Sequence, residues 1–418
     1  MSVLNHKVLV VGGGAAGMMA AGMAAKAGAQ VILFEKNDRL GKKLAITGKG
    51  RCNVANDCTS DEVLKNIPRN SRFLYSALDA WTPADVMAFF ETYGCELKVE
   101  RGNRVFPVTD KSASVITALQ KFLKEQKVEI RYEKVEKLLL RDGEIAGVQT
   151  DKGSCYGRCV ILCTGGCSYP LTGSTGDGYR MSQEVGHSVQ EIRGSLVPME
   201  EQGDWCARMQ GLSLRNVAVK LVNQKKKTVY EDFGELLFTH FGLSGPTILS
   251  ASAHMKAGDT YKIQIDLKPA LDEQKLDQRI LRDFEQYQNR NIENALQDLY
   301  PRTLIPIMVE RAGIDPETQA NSVTRQQRRA LLELTKRFEI EIAGLRPVAE
   351  AIITAGGIKV KEVDPKTMES KLVKGLYFAG EVLDVDAYTG GFNLQIAWST
   401  AVAAGLAAGA PRNMEGEG

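Results

Sequence analysis

Two kinds of hydrophobic pattern alternate along this chain. Near the N-terminus, Val8-Leu-Val-Val11 and Val31-Ile-Leu-Phe34 are continuous apolar runs of strand length. Unbroken runs of this kind predict strands covered on both faces, as in a parallel sheet. Between them Ala15 to Ala27 is almost all small or apolar, which predicts a buried helix ended by Gly28. Val128-Glu-Ile-Arg-Tyr132 and Glu144-Ile-Ala-Gly-Val-Gln-Thr150 read as short strands, and Val160-Ile-Leu-Cys-Thr-Gly-Gly166 as a buried strand running into a glycine turn. A helix is expected from Ser174 to Val185.

The pattern changes near Arg193. Val217, Val219 and Leu221 alternate with other residues, the polar turn Asn223-Gln-Lys-Lys-Lys227 follows, and Tyr261, Ile263, Ile265 and Leu267 alternate again. These are signals of antiparallel strands. From about Glu273 to Ile340 the period becomes helical, with Leu276, Ile280, Leu281 and Phe284 on one face and a second helix over 326–337 whose charges form a solvated face. Near Arg346 the first pattern returns: Gly375-Leu-Tyr-Phe-Ala-Gly380 is a strand feeding a turn, and Gly390 to Leu406 a glycine turn and an apolar helix. The expected organisation is a discontinuous α/β domain of residues 1–193 and 346–418. It is interrupted by an antiparallel segment, 194–272, and a helical segment, 273–345.

The turn after the first strand carries chemistry. Gly12, Gly14 and Gly17 fit G-x-G-x-x-G between a strand and a helix. Gly12 permits the tight turn, Gly14 lets a pyrophosphate approach the backbone, and Gly17 lets helix and strand pack closely. The helix N-terminus offers free N–H groups and a partial positive charge to the phosphates. Glu35 ends the second strand, 18 residues after Gly17, where an acidic side chain holds ribose hydroxyls.

Three more glycine segments stand out: Gly41–Asn53, Cys163–Tyr179 and Gly380–Gln395. In the first, Lys42, Lys43 and Arg51 offer charge to phosphates. In the last, Gly380-Glu381 resembles the element of glutathione-reductase-type flavoproteins that binds the ribityl–pyrophosphate region of FAD. The helix starting near Gly391 would then direct its positive end at the flavin N1–C2=O edge. Together with Phe238-Thr-His-Phe-Gly-Leu-Ser-Gly-Pro246 and Gly-x-Gly-Arg-Cys-Asn (Gly48–Asn53), these segments closely resemble the YhiN/BaiN-type FAD-dependent oxidoreductases. The resemblance spans nearly the whole chain. It implies an FAD-binding Rossmann-like fold of glutathione-reductase type, discontinuous, carrying an antiparallel β-barrel and a helical insert.

It also implies FAD contacts from Gly12, Gly14, Ala15, Ala16, Gly17, Glu35, Lys36, Lys43, Gly50, Arg51, Cys52, Asn53, Val135, Thr164, Gly165, Gly166, Gly380, Glu381, Gly390, Gly391 and Asn393. The family includes members linked to aminoacetone oxidation and to reduction of steroid-like enones, so the expected function is hydride transfer between a small organic substrate and bound flavin. The insert is expected to form the substrate pocket, with His240 the candidate acid/base because its ordinary pKa lies near neutrality. There is one strand–G-x-G-x-x-G–helix unit, so NAD(P)H is expected only as a transient reductant, without a dedicated domain.

Composition narrows the alternatives. The 418 residues carry a net charge of +2, which favours neither nucleic acid nor anionic lipid as a partner. No apolar run reaches membrane-span length, and the dinucleotide turn accounts for the apolar N-terminal stretch without a signal peptide, so a cytoplasmic enzyme is expected. Eight cysteines suggest free thiols in a reducing compartment. Cys155, Cys159, Cys163 and Cys167 recur every four residues, but residues four apart in a strand lie about 13 Å from each other. No metal site is expected there. Two other functions compete: a flavin disulfide reductase using Cys52 and Cys58, and a non-catalytic flavoprotein that binds RNA or a partner through its insert, where Lys225–Lys227 and Arg328-Arg329 lie. The five-residue gap between Cys52 and Cys58 departs from the usual C-x4-C pair.

Overall fold

The computed structural model describes residues 7–256 and 258–411. The fold is α/β with two compact units: Met1–Ser195 with Val348–Gly418, and Leu196–Pro347.

The first unit is built on a five-stranded parallel sheet. Its strand order is Leu376–Phe378, Cys159–Leu162, Lys7–Val11, Gln30–Glu35, Glu129–Tyr132. The apolar runs give its central strands their burial: Val8 to Val11, Val31 to Glu35 and Cys159 to Leu162 are buried throughout. The C-terminal strand adds to the outer edge of Cys159–Leu162, so the sheet needs both ends of the chain. Two small antiparallel sheets belong to this unit: Ala55–Asn56 with Leu97–Glu100 and Arg104–Pro107, and Val135–Arg141 with Glu144–Thr150 and Gly153–Tyr156. The helix expected from Ser174 begins at Asp177, because Gly176 before it takes a left-handed conformation (φ 78°).

Two helices lie at the centre of the unit, Ala15–Lys26 and Phe392–Gly409. Both are apolar on every side, as buried helices must be. They meet through small residues. A Cβ on Gly405 would sit 2.6 Å from the Ala20 carbonyl oxygen, and one on Gly409 2.4 Å from that of Ala24. At the other end a Cβ on Gly380 would lie 2.8 Å from the Ala16 Cβ and 3.8 Å from that of Ala397. The matched positions advance in the same direction along both helices, so they run parallel and their N-terminal ends share one edge. That edge is the carboxyl edge of the sheet, since Ala15 follows the strand ending at Val11 directly.

The second unit is a closed antiparallel barrel plus helices. Its strand order is Met199–Glu201, Gly242–Ser244, Thr228–Phe238, Ser213–Asn223, Tyr261–Asp266, Phe338–Leu345. The period-2 residues Val217, Val219, Leu221, Ile263 and Ile265 fill its interior. Leu276, Ile280 and Phe284 of the helix Glu273–Gln286 join the same hydrophobic core, so barrel and helices are one body. The strand Phe338–Leu345 stands within the segment that sequence reasoning gave to the helices. Its residues Phe338, Ile340 and Ile342 alternate inward and it closes the barrel between Tyr261–Asp266 and Met199–Glu201. On the charged helix face Arg329 lies in solvent beside Glu333 as expected, whereas Arg328 turns to Asp277 of the Glu273–Gln286 helix.

The helix contact yields a test. A Gly405→Val side chain would meet backbone, which cannot rotate away, so the helices must separate. Overpacking of this kind costs about 1–3 kcal/mol. The urea midpoint of the variant should fall accordingly; an unchanged midpoint at unchanged slope would mean the helices do not pack this closely.

Candidate functional site

The glycine turn is shaped for a ligand at one position in particular. Gly12 has φ 104°, and a Cβ there would lie 2.5 Å from the Cys163 carbonyl oxygen; the fold itself demands glycine. Gly14 differs. Its φ is −80°, which any residue adopts, and a Cβ there would meet nothing within 4 Å. Gly14 is also the N-cap of the Ala15–Lys26 helix, which has no side-chain cap. Neither backbone strain nor packing within the chain requires a glycine at this position. A pyrophosphate approaching the uncapped N-terminus would favour one. The residues therefore fit an adenine dinucleotide here, with Ala15, Ala16 and Gly17 supplying the first turn of the helix.

Glu35 is buried at the end of its strand. Its Oε2 accepts from the Gly13 N–H at 2.7 Å, and its Oε1 accepts from the N–H and the Nδ2 of Asn37, each at 2.7 Å. The carboxylate fixes the glycine turn, and Oε2, which accepts one bond where Oε1 accepts two, keeps a lone pair that a ribose hydroxyl could use. Lys36 reaches Thr175 Oγ1 and Asp177, both at 2.6 Å. Thr164, after the Cys159–Leu162 strand, has a buried Oγ1 with no hydrogen-bond partner, and Gly165 and Gly166 follow it. A buried hydroxyl without a partner fits an edge that a polar ligand completes.

Glu381 lies beyond the C-terminal sheet strand. Its Oε2 accepts from Lys43 Nζ at 2.6 Å, and its Oε1 from Ser168 Oγ at 3.1 Å and the Thr354 N–H at 2.9 Å. Lys43 also donates to Ser168 Oγ at 2.7 Å. These residues, from four distant parts of the sequence, form one largely buried ionic knot. Gly390 and Gly391 form the turn into the Phe392–Gly409 helix. With its amide oxygen toward the Gly391 N–H (3.0 Å), Asn53 donates to Val105 O and Ala55 O. Asn393 donates from Nδ2 to Ala387 O at 2.7 Å and accepts the Ala387 N–H at 2.8 Å. Both asparagines thus hold the turn at the helix N-terminus.

Other expected contacts have partners of their own. Arg51 pairs with Glu100 and Asp110 and stacks 4.1 Å from the Phe106 ring, so its charge is already compensated. Gly50 precedes it in a left-handed turn (φ 86°). Val135 is a buried residue at the start of its strand. Cys52 is fully buried, and burial pushes its thiol up to about 12; Cys58 is raised to about 11 for the same reason. Thiols held protonated are poor nucleophiles, which argues against the disulfide-reductase alternative. Among the described residues no His, Cys, Asp or Glu group is arranged to hold a metal ion.

In the second unit, Thr239 closes a tight turn by donating to Gly242 O (2.9 Å) and accepting the Gly242 N–H (3.1 Å). The turn presents His240 to solvent, with its ring 5.0 Å from that of Phe241. The Arg346 guanidinium lies 4.7 Å from the Phe241 ring and pairs with Glu200 at 2.8 Å. Sequence reasoning missed Arg346 and Glu200, and in the first unit Ser168, Thr354, Arg69 and Asp386. Ser168 and Asp386 lie inside the glycine segments 163–179 and 380–395, and the others outside any motif; only the tertiary contacts distinguish them.

Residues 6–407 match the family described as HI0933-like protein Rossmann domain. The chain belongs to this family. It is 29% identical to the 3-dehydro-bile acid delta(4,6)-reductase of Clostridium scindens, over 96% of this chain and 99% of that protein. It is 30% identical to the ribosomal RNA dihydrouridine synthase of Haemophilus influenzae, over 95% and 97%, and 28% identical to that of Escherichia coli, over 94% and 95%. In fold it resembles the 3-ketosteroid delta1-dehydrogenase of Sterolibacterium denitrificans, with a TM-score of 0.52 at 14% identity, covering 97% of this chain and 100% of that one. The resemblance to the YhiN/BaiN-type flavoproteins holds, and the chain is a member of an FAD-dependent oxidoreductase family.

The Gly14 geometry gives the direct test. Gly14→Val should fold, since a Cβ there meets no heavy atom within 4 Å, yet it should purify without the yellow flavin expected of the native protein. Full FAD occupancy in the variant, measured by absorbance after denaturation, would sink the assignment.

Proposed function

We propose that this chain reduces a ring carbon–carbon double bond conjugated to a carbonyl, using bound FAD and a small organic substrate. The observation that carries the reading is chemical. Three relatives are a 3-dehydro-bile acid delta(4,6)-reductase and two ribosomal RNA dihydrouridine synthases, and saturation of a C=C bond conjugated to a ring carbonyl is a chemistry common to both names. FAD would accept or deliver a hydride at such a carbon. The chain's own residues hold it: the 12–17 turn and Glu35 at the adenosine half, and Lys43, Glu381 and the Gly390–Asn393 turn toward the flavin. The positive end of the Phe392–Gly409 helix favours the charge of reduced flavin at N1–C2=O.

Two relatives named for ribosomal RNA raise a second reading, with uridine in RNA as the substrate. The charge distribution favours the small molecule. Residues 196–347 carry as many acidic as basic residues, and the net charge of the chain is only +2. Binding of RNA through its phosphates relies on an excess of Lys and Arg.

The experiment is anaerobic. The protein, reduced with dithionite, is mixed with a 4-en-3-one steroid, with uridine and with ribosomal RNA, and flavin reoxidation is followed. Reoxidation by the steroid alone supports the proposal, and reoxidation by RNA alone replaces it with the second reading. NADPH should reduce the flavin slowly, with no saturation at low micromolar concentration, because among the described residues a single parallel sheet, of five strands, carries the one dinucleotide turn. Fast, saturable bleaching would overturn that part.

His240 is the proposed acid/base, exposed at the tip of its turn. General acid–base catalysis contributes roughly 100- to 10,000-fold. His240→Gln should therefore lower turnover by at least about 100-fold while FAD stays bound. Wild-type turnover in the variant would remove the role.

A further inference from the structure

The stretch that precedes the Gly390-Gly391 turn is clamped by a segment far away in the sequence. Tyr388 donates its N–H to Asn66 O at 3.0 Å, and Asn70 Nδ2 donates to Asp384 O at 2.7 Å and Asp384 Oδ2 at 3.0 Å. Arg69 lies between these two contacts. Its Nη2 pairs with Asp386 Oδ1 at 2.5 Å, and the other oxygen of Asp386 accepts from Ser195 Oγ at 2.7 Å. Asp386 is 1% exposed, and its two oxygens are thereby satisfied.

Arg69 is not satisfied. Its Nε is buried and has no hydrogen-bond partner, while the side chain as a whole keeps 28% exposure. A guanidinium offers five N–H donors in a rigid fork, and here one edge faces Asp386. A purely structural arginine would bury its donors against acceptors, because an unpaired buried donor costs about 1–3 kcal/mol. The rest of the fork, on a side chain that keeps 28% exposure, is within reach of an acceptor from outside the chain.

The surroundings select that acceptor. Two carboxylates flank the single arginine: Asp386, and Asp384, whose carboxyl burial pushes above the ordinary range against the pull of Arg69. The cluster has no spare positive charge. A carboxylate ligand would gain one partner and face two like charges, whereas a neutral carbonyl oxygen can accept from the fork without that repulsion.

We infer that Arg69 is a substrate-binding group that receives the neutral carbonyl oxygen of the substrate, with Asp386 holding the guanidinium in place. The inference rests on the enone reading above and deepens it: the site takes ketones or ring amides and rejects dicarboxylates. An arginine donating to that oxygen would draw electrons from the conjugated double bond and stabilise charge building on the oxygen.

The test uses the FAD-loaded protein and two probes, androstane-3,17-dione as a saturated neutral diketone and succinate as a dicarboxylate. Binding is read from the perturbation of the flavin spectrum. The wild type should bind the diketone and give no response to succinate. In Arg69→Lys and Arg69→Gln the diketone should bind about 10- to 100-fold more weakly, the range for losing a charged hydrogen bond. FAD content should stay at the wild-type level. Arg69→Lys guards against misfolding, since it retains a charge opposite buried Asp386. Diketone affinity unchanged in folded Arg69→Lys, or succinate binding as tightly as the diketone, overturns the inference. A wild type that reduces no 4-en-3-one steroid fails earlier and removes the enone reading itself. Reduction by the wild type with unimpaired Arg69 variants removes only the role of the arginine.

Discussion

The close contact between the first and last helices governs this structure. Gly405 and Gly409 bring the backbone of Phe392–Gly409 against the carbonyls of Ala20 and Ala24, a distance that no larger residue at those positions allows. The helices gain tight dispersion contact and burial of two almost wholly apolar surfaces. Their parallel alignment has a further effect. It puts two helix N-termini, formed hundreds of residues apart, on the carboxyl edge of one sheet, where ligands of open α/β folds bind. Gly14 begins one helix and Gly391 the other.

Around that edge the chain commits buried charge with care. Removing carboxylates from water is costly unless partners and hydrogen bonds replace the lost solvent. Glu381 has Lys43, Ser168 and the Thr354 amide; Glu35 has two amides and a side-chain amide; Asp386 has Arg69 and Ser195. Each of these knots ties together segments distant in sequence, so each also fixes a loop bordering the site. The thiols take the opposite course. Burial raises the thiols of Cys52, Cys58 and Cys163, and Cys52 and Cys163 pack as small apolar side chains in the core.

The relatives place this arrangement in an FAD-dependent oxidoreductase family over almost the whole chain. The names of those relatives refer to substrates of very different size, a bile acid and ribosomal RNA. A cofactor edge built from both chain ends, with a separate barrel inserted between them, lets such differences accumulate in the insert while the sheet and its two helices stay constrained by packing.

The sequence by itself determined the elements built on continuous apolar runs and glycine turns, though helices with local signals of their own, such as Pro83–Thr92 with its Thr82–Asp85 capping box, went unread. The strand–turn–helix at Lys7–Lys26 is written in a continuous apolar run, three spaced glycines and an alanine-rich helix; Glu35 follows at the expected place, and the C-terminal strand and helix repeat the pattern. Resemblance carried the motif segments to FAD. What the sequence did not decide was pairing at long range. Phe338–Leu345 alternates like a strand, yet it directly follows a helix, and only the open edges of Tyr261–Asp266 and Met199–Glu201 make it the closing strand of the barrel. Arg51 reads as a phosphate ligand from its loop alone, and only the fold shows that Glu100 and Asp110 lie against it. Arg69 carries no motif at all, and its importance rests on an aspartate more than three hundred residues later and on a buried Nε without a partner. Periodicity and glycine spacing report the backbone a residue needs; which charges meet, and which remain unpaired, is settled only when distant segments are brought together and water is removed from between them.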